Sequence, residues 1–249
     1  SCNRQGGKEQ RLLTEPRNVL GLIPARGGSR GFPQKNLASL AGRPLISHTI
    51  GAARSSRSLS RVVVSTDDEK IAQVAKEAGA EVPFLRPPEL ATDTATALEV
   101  IRHAVEYFEA EGWNPEAIVY LQPTSPLRRV HHIDQAVDTL WQKEADSVVS
   151  VVELPHNFSP LSVMTLDEQG FLKPYDPGGA SVLRRQDKPR LWARNGPAVL
   201  ALRRETVMEL NTLYGPKTLP LVMDRWDSID IDSSDDLAMA EWALSRRED

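Results

Sequence analysis

Arg26, Arg30 and Lys35 crowd into one glycine-rich stretch, Leu22-Ile23-Pro24-Ala25-Arg26-Gly27-Gly28-Ser29-Arg30-Gly31-Phe32-Pro33-Gln34-Lys35-Asn36. Glycines let backbone N–H groups close on an anion without Cβ interference and allow the positive φ that builds anion nests. Cations on such a loop suit a polyphosphate. The loop is neither of the two common phosphate motifs. A P-loop requires G-x-x-x-x-G-K-[ST], but Lys35 is followed by Asn36 and has no glycine before it. The spacing G-x-G-x-x-G is not met by Gly27, Gly28 and Gly31 either. The plain alternative is a surface turn rich in Gly and Arg. What favours chemistry is position: the loop follows an apolar run, Val19 to Ile23, at the start of an α/β pattern, where such folds bind nucleotides.

A second candidate site lies near the C-terminus, in Asp227-Ser228-Ile229-Asp230-Ile231-Asp232-Ser233-Ser234-Asp235-Asp236. On an extended strand, side chains two apart share a face, so Asp230 and Asp232 can reach one hard cation. Mg²⁺ favours one or two carboxylates plus substrate phosphate oxygens. The competing role for these aspartates is capping the helix that follows, which suits Asp235 or Asp236 better. A third polar cluster, Gln122-Pro123-Thr124-Ser125-Pro126-Leu127-Arg128, follows the apolar run 117–121. By itself it reads equally as a capped helix start.

The elements that must hold these residues alternate. Val62 to Ser65, Ala117 to Leu121 and Ser147 to Val152 read as buried strands. Helical spacing joins Ile71, Val74, Ala75 and Ala78, with Gly79 as a stop; it recurs at Leu98, Ile101, Val105 and Phe108, and at Ile133, Ala136, Val137 and Leu140. The pattern breaks over 153–195, rich in Pro, Gly and charge, which reads as an inserted hairpin or arm. It resumes with strands at 198–202 and 219–223 and a helix over 234–244. The expected architecture is α/β: a three-layer, mostly parallel, Rossmann-like sheet with an inserted arm. The expected parts are a disordered extension (1–18), a nucleotide-binding core (19–152), the arm (153–195) and the remainder of the same domain (196–249).

Composition narrows the function. The chain has 249 residues, and 30 Lys and Arg against 34 Asp and Glu give a net charge of −4, without the basic bias of a nucleic-acid-binding domain. The single cysteine, Cys2, excludes an internal disulfide framework and points to a reducing, cytoplasmic location. No apolar run is long enough to span a membrane, and the polar N-terminus is not a secretory signal. No cysteine or Ser-His-Asp set suggests a covalent intermediate.

Taken in order, these segments resemble the CMP-sialic acid synthetases, the acylneuraminate cytidylyltransferase family. The matching pieces are Ile23-Pro24-Ala25-Arg26-Gly27-Gly28-Ser29, Lys35-Asn36, Val63-Val64-Ser65-Thr66-Asp67, Leu85-Arg86-Pro87, Asp93-Thr94, Leu121 to Arg128, Arg185-Gln186, Asn195-Gly196 and Asp227 to Asp232. They span about residues 19–245. The resemblance implies attack of a sugar-acid anomeric hydroxyl on the α-phosphate of CTP. It implies that Arg26, Ser29 and Lys35 hold the triphosphate with Asn36 beside them. Arg86, Thr96 and Gln122 would lie around cytidine and sugar, with Arg185, Gln186 and Asn195 as further substrate contacts, and Asp230 and Asp232 would hold Mg²⁺. It also implies a homodimer formed through the arm.

Two departures bear on the sugar. Sialic acid-specific members usually carry a lysine in the arm, but residues 156–164 hold no Lys or Arg. Those members also place an arginine two positions before the Asn-Gly pair, where Ala193 stands here, with Arg194 next to Asn195. The expected substrate is therefore a nonulosonic acid other than plain N-acetylneuraminate, its carboxylate paired with Arg185, Arg190 or Arg194. The alternatives are an eight-carbon ulosonic acid as substrate, or a nucleotide-binding protein without catalysis.

Overall fold

The computed structural model describes residues 17–28, 33–176, 184 and 188–247. The first strand, β1 (Val19–Pro24), is apolar on both faces. Val19 and Ile23 join one core cluster, while Leu20 and Leu22 join another on the opposite side. A strand with two buried faces belongs in the middle of a sheet covered by helices on both sides. Its neighbours are β4 (Arg61–Ser65) and β5 (Ala117–Tyr120), both parallel to it, with Leu22 opposite Val63 on one side and Tyr120 on the other.

Beyond β5 lies β10 (Leu200–Arg203), running antiparallel, then β6 (Ser147–Glu153) and finally β11 (Thr218–Met223), parallel to β6. The order is β11-β6-β10-β5-β1-β4, with β9 (Trp192–Arg194) also paired to β6. The sheet is thus mostly parallel, as expected; the strand expected at 198–202 is present at 200–203, but it runs antiparallel at the centre of the sheet, which was not expected. β9 and β10 are two pieces of one antiparallel path along β6, interrupted at Asn195-Gly196-Pro197.

Helices α1 (Leu45–Arg54), α2 (Glu69–Glu77) and α4 (Val130–Gln142) place Ile46, Ile50, Ile71, Ala75, Ile133 and Ala136 in the first cluster. Helices α3 (Ala97–Ala110) and α5 (Arg204–Met208) cover the other face with Ile101, Ala104, Val105, Phe108 and Val207. This is the expected three-layer arrangement. Burying a Leu or Ile side chain contributes on the order of 2 kcal/mol, so these two faces supply the main driving force for folding. A smaller cluster of Leu40, Leu45, Leu127, Ile231, Ala240 and Ala243 seats the last helix, α6 (Ser234–Ser245). Leu40 comes from a short hairpin of β2 (Ser39–Leu40) and β3 (Arg43–Pro44).

The stretch expected as an arm contains an isolated hairpin, β7 (Met164–Leu166) and β8 (Leu172–Pro174), every residue of which is exposed. Its last part, β9, returns to the main sheet.

The chain leaves β1, goes to β4 on one side, then crosses to β5 on the other. The crevice between β1 and β5 is therefore a topological switch point, where open α/β sheets bind ligands. The loops after Pro24, Ser65, Tyr120, Glu153 and Met223 all leave from the carboxyl end of the parallel strands, because those strands share one direction.

Candidate active site

A cleft of about 590 Å³ opens at that switch point. It brings together Arg26, Lys35, Asn36, Arg86, Thr96, Gln122, Asp230 and Asp232. Ser29, Arg185 and Gln186 lie outside the described residues. Asn195 does not line the cleft; it is buried behind it.

The cationic loop is shaped by neighbours rather than by its own sequence alone. The N–H of Gly27 donates to Asp67 Oδ1 at 2.9 Å, and a Cβ on Gly27 would come within 2.9 Å of the Asp68 side chain. Asp68 is fixed there as the N-cap of α2, accepting from the N–H groups of Lys70 and Ile71. Only glycine allows so close an approach. Asn36 is buried, and its amide donates to the carbonyl of Arg26 at 3.1 Å, which pins the start of the loop to its end.

Both described cations of the loop are paired across the cleft. Arg26 Nη1 lies 2.6 Å from Asp93 Oδ1, and Lys35 Nζ lies 2.9 Å from Asp232 Oδ1. The Asp232 side chain is 78% exposed, so that pair contributes little to stability, about 0–1 kcal/mol. What it shows is that an ammonium already stands at this carboxylate, so the carboxylate faces a place where positive charge can sit.

Asp230 and Asp232 do share a face, but the segment is not a strand; it is an extended loop between β11 and α6. Its alternation is enforced by Ile231, fully buried between them, whose N–H donates to the Thr124 carbonyl at 2.8 Å. Asp230 accepts from Ser125 Oγ at 3.4 Å. The helix cap itself is Ser233, with Asp236 reaching back to the N–H groups of Asp232 and Ser233 in a capping box. Asp236 thus serves the helix, as the sequence suggested, while Ser233 is the N-cap residue.

Arg86 faces the cleft but is largely committed to the protein. Its guanidinium donates to Ser65 Oγ, to the Ser65 carbonyl and to the Leu90 carbonyl. Burial lowers its pKa from the usual arginine value. The neighbouring Tyr120 hydroxyl is pushed up to about 12, also by burial. Both are groups in a dry corner beside the cleft. Arg128, named in the sequence as a polar group of the 122–128 cluster, is wholly buried beneath it. It donates to the carbonyls of Gln122 and Ala198 and to Thr49 Oγ1, and desolvation lowers its pKa to about 9. It shapes the loop rather than touching a ligand. Thr96 is the N-cap of α3 in a capping box with Glu99.

The Asn195-Gly196 break sits against the same loop. Gly196 has φ of +123°, and a Cβ there would meet Ser125 Oγ at 3.2 Å and Gln122 Oε1 at 3.5 Å. The Asn195 amide donates to Ser228 Oγ at 2.8 Å. Asp93 and Asp67 stood in the sequence as parts of matching segments without a role of their own; the structure pairs Asp93 with Arg26 and Asp67 with the N–H of Gly27.

Comparison with known proteins gives the family and the fold. A family model described as cytidylyltransferase matches residues 20–214. CMP-N,N'-diacetyllegionaminic acid synthase of Legionella pneumophila is 36% identical over 224 residues, 90% of this chain and 94% of that protein. The chain belongs to the CMP-sialic acid synthetase family of cytidylyltransferases. N-acylneuraminate cytidylyltransferase of Streptococcus agalactiae is 36% identical over 218 residues, 86% of this chain but 50% of that protein, so this cytidylyltransferase chain spans about half of that relative. A solved CMP:2-keto-3-deoxy-manno-octonic acid synthetase, complexed with CTP, superposes with a TM-score of 0.68 over 92% of this chain and 99% of its own, at 16% identity, and so shares the fold. No described helix is long and apolar enough to cross a membrane.

Proposed function

We propose that this cytidylyltransferase activates a nonulosonic acid by transferring CMP from CTP, with Mg²⁺ as cofactor, and that it works as a homodimer. One observation carries the reading: a single cleft at the switch point gathers Arg26, Lys35, Asp230 and Asp232. Two cations and two carboxylates on one cavity are what a metal–triphosphate complex requires.

The reaction is a displacement at phosphorus. The anomeric hydroxyl oxygen of the sugar acid forms a bond to the α-phosphorus of CTP, the bond from that phosphorus to the bridging oxygen breaks, and pyrophosphate leaves. The hydroxyl proton is released. The protein's task is positioning and charge neutralisation. Arg26 and Lys35 exchange their carboxylate partners for phosphate oxygens. Asn36 keeps the loop closed on the anion. Gln122 and the buried edge near Arg86 and Tyr120 offer a polar, dry surface for the pyrimidine. Asp230 and Asp232 fit Mg²⁺: two carboxylates face the cleft, and phosphate oxygens complete the set. Held by Asp230 and Asp232, such an ion would supply charge neutralisation for the departing pyrophosphate.

The homodimer reading rests on the arm. Two-stranded hairpins are marginal alone, and β7–β8 has no buried residue. Phe158, Leu166, Phe171, Leu172, Tyr175 and Trp192 are all exposed large apolar side chains in this region. Such a surface is the mark of an interface.

For the sugar carboxylate, two of the three expected arginines are described. Arg190 holds Glu153 through both ends of its fork, at 2.9 and 2.8 Å, and Arg194 lies over the Tyr214 ring. A sugar carboxylate reaching Arg190 would replace Glu153, an exchange of like for like. The experiment is pyrophosphate release from CTP and, separately, UTP, with a panel of sugar acids, in Mg²⁺ and in EDTA. Turnover that needs CTP, Mg²⁺ and a nonulosonic acid supports the reading; equal turnover with UTP, or turnover in EDTA, overturns it.

A further inference from the structure

We propose that Asp227 is a positioning residue for the carboxylate pair, clamped by Arg247, so that the end of the C-terminal helix helps hold the metal-binding segment in place. The inference rests on the reading of Asp230 and Asp232 as the metal-holding groups.

Asp227 is buried, with 5% of its surface exposed. Arg247 Nη2 donates to its Oδ1 at 2.5 Å, and Arg129 Nε donates to its Oδ2 at 3.0 Å. The same Arg247 nitrogen also donates to the carbonyl of Leu127. One guanidinium therefore ties together the two walls of the carboxylate site. One wall is the loop 122–128, whose Ser125 bonds Asp230 and whose Thr124 bonds the backbone of Ile231. The other is the segment that runs from Asp227 to Asp232. Ser228 adds a second lock: it accepts from Asn195 and donates to the Asp224 carbonyl at 2.7 Å. Asp230 and Asp232 are thus held from upstream through Asp227 and Ser228 as well as by their own partners Ser125, Lys35 and Asp236, while most of the Asp232 side chain faces solvent.

A buried carboxylate with two guanidinium partners is costly to assemble, and its replacement by apolar groups is often neutral for stability. The placement here gives a different reason for it. Carboxylates that share one ion must be held in register, and groups that orient metal ligands are worth about 10- to 100-fold in metal affinity.

The test uses the full chain with Asp227→Asn, Arg247→Met and Arg247→Lys. Arg247→Met leaves Asp227 paired with Arg129, so a folded variant is available should Asp227→Asn fail to fold. Mn²⁺ binding is read by electron paramagnetic resonance in the presence of CTP, and CTP binding by calorimetry in EDTA. Arg247→Met is expected to weaken Mn²⁺ binding on the order of tenfold or more, with CTP binding in EDTA within about twofold of wild type. Arg247→Lys, which keeps the charge on a shorter side chain without the planar fork, is expected to fall between. Unchanged Mn²⁺ affinity in folded Arg247→Met overturns the clamp. Equal weakening of both ligands overturns it too, since that is general loosening. A control with Asp230→Ala separates the two levels: if that substitution leaves Mn²⁺ binding untouched, the metal reading itself falls, and the clamp with it.

Discussion

Lys35 and Asp232 are 197 positions apart in the chain and 2.9 Å apart in space. Their pair is too exposed to matter much for stability, so its value must be read in activity. Asp232→Asn is expected to lower kcat on the order of 10²-fold or more, while the thermal midpoint moves little because one of two neighbouring carboxylates is neutralised. Wild-type kcat in saturating Mg²⁺, measured by pyrophosphate release, would show the site to be misplaced. His132 offers a residue-scale test of a different kind. It is buried near Asp227, and desolvation lowers its pKa to about 4. The folded state therefore keeps His132 neutral where the unfolded chain, with an ordinary pKa near 6.5, binds a proton. Stability from this group is complete above about pH 6.5 and is lost as pH falls towards 4. In urea titrations, His132→Gln is expected to show a shallower loss of stability between those pH values, by about 3 kcal/mol. Parallel curves for wild type and variant would exclude the linkage.

At the scale of elements, most site residues owe their place to a helix end or a strand end. Thr96 is the clearest case: the family resemblance assigns it to substrate, and the fold uses it to cap α3. The two roles predict different outcomes for Thr96→Ala. Loss of the cap costs about 1 kcal/mol, or roughly 2–4 °C in a chain of this size, with the KM for CTP unchanged. A large rise in KM at constant thermal midpoint would instead place the hydroxyl on the substrate. The loop after β5 shows the same dependence, because Arg128 beneath it binds the carbonyls of Gln122 and Ala198 and so joins two strands' ends.

For the whole molecule, the exposed hairpin and its aromatic neighbours decide the expected assembly. Leu166→Glu combined with Phe171→Glu is expected to turn a dimer into a monomer by light scattering at micromolar concentration, since charges on a buried apolar interface are costly. A wild-type mass of one chain would remove the dimer. The central core should be unaffected, because β7 and β8 pair only with each other in the described structure.

Periodicity alone placed the strands 19–24, 61–65, 117–120 and 147–153 and the helices α2, α3, α4 and α6 to within a few residues, because apolar burial on two sheet faces imposes it. The glycine-rich cationic loop and the Asp-x-Asp pair were equally legible, since their chemistry resides in residue type and short spacing. The sequence did not assign α1, whose buried positions Leu45, Ile46, Thr49, Ile50 and Ala53 follow Pro44 directly. It placed a strand at 198–202 but not its antiparallel direction, because strand direction is set by how the chain returns to the sheet and leaves no mark on local pattern. Nor could it show that Arg26 meets Asp93, Lys35 meets Asp232 and Arg247 meets Asp227. The first two pairings depend on strand ends delivering distant loops to one side of the sheet, the third on how α6 packs back over the segment before it, and only the tertiary structure sets those distances.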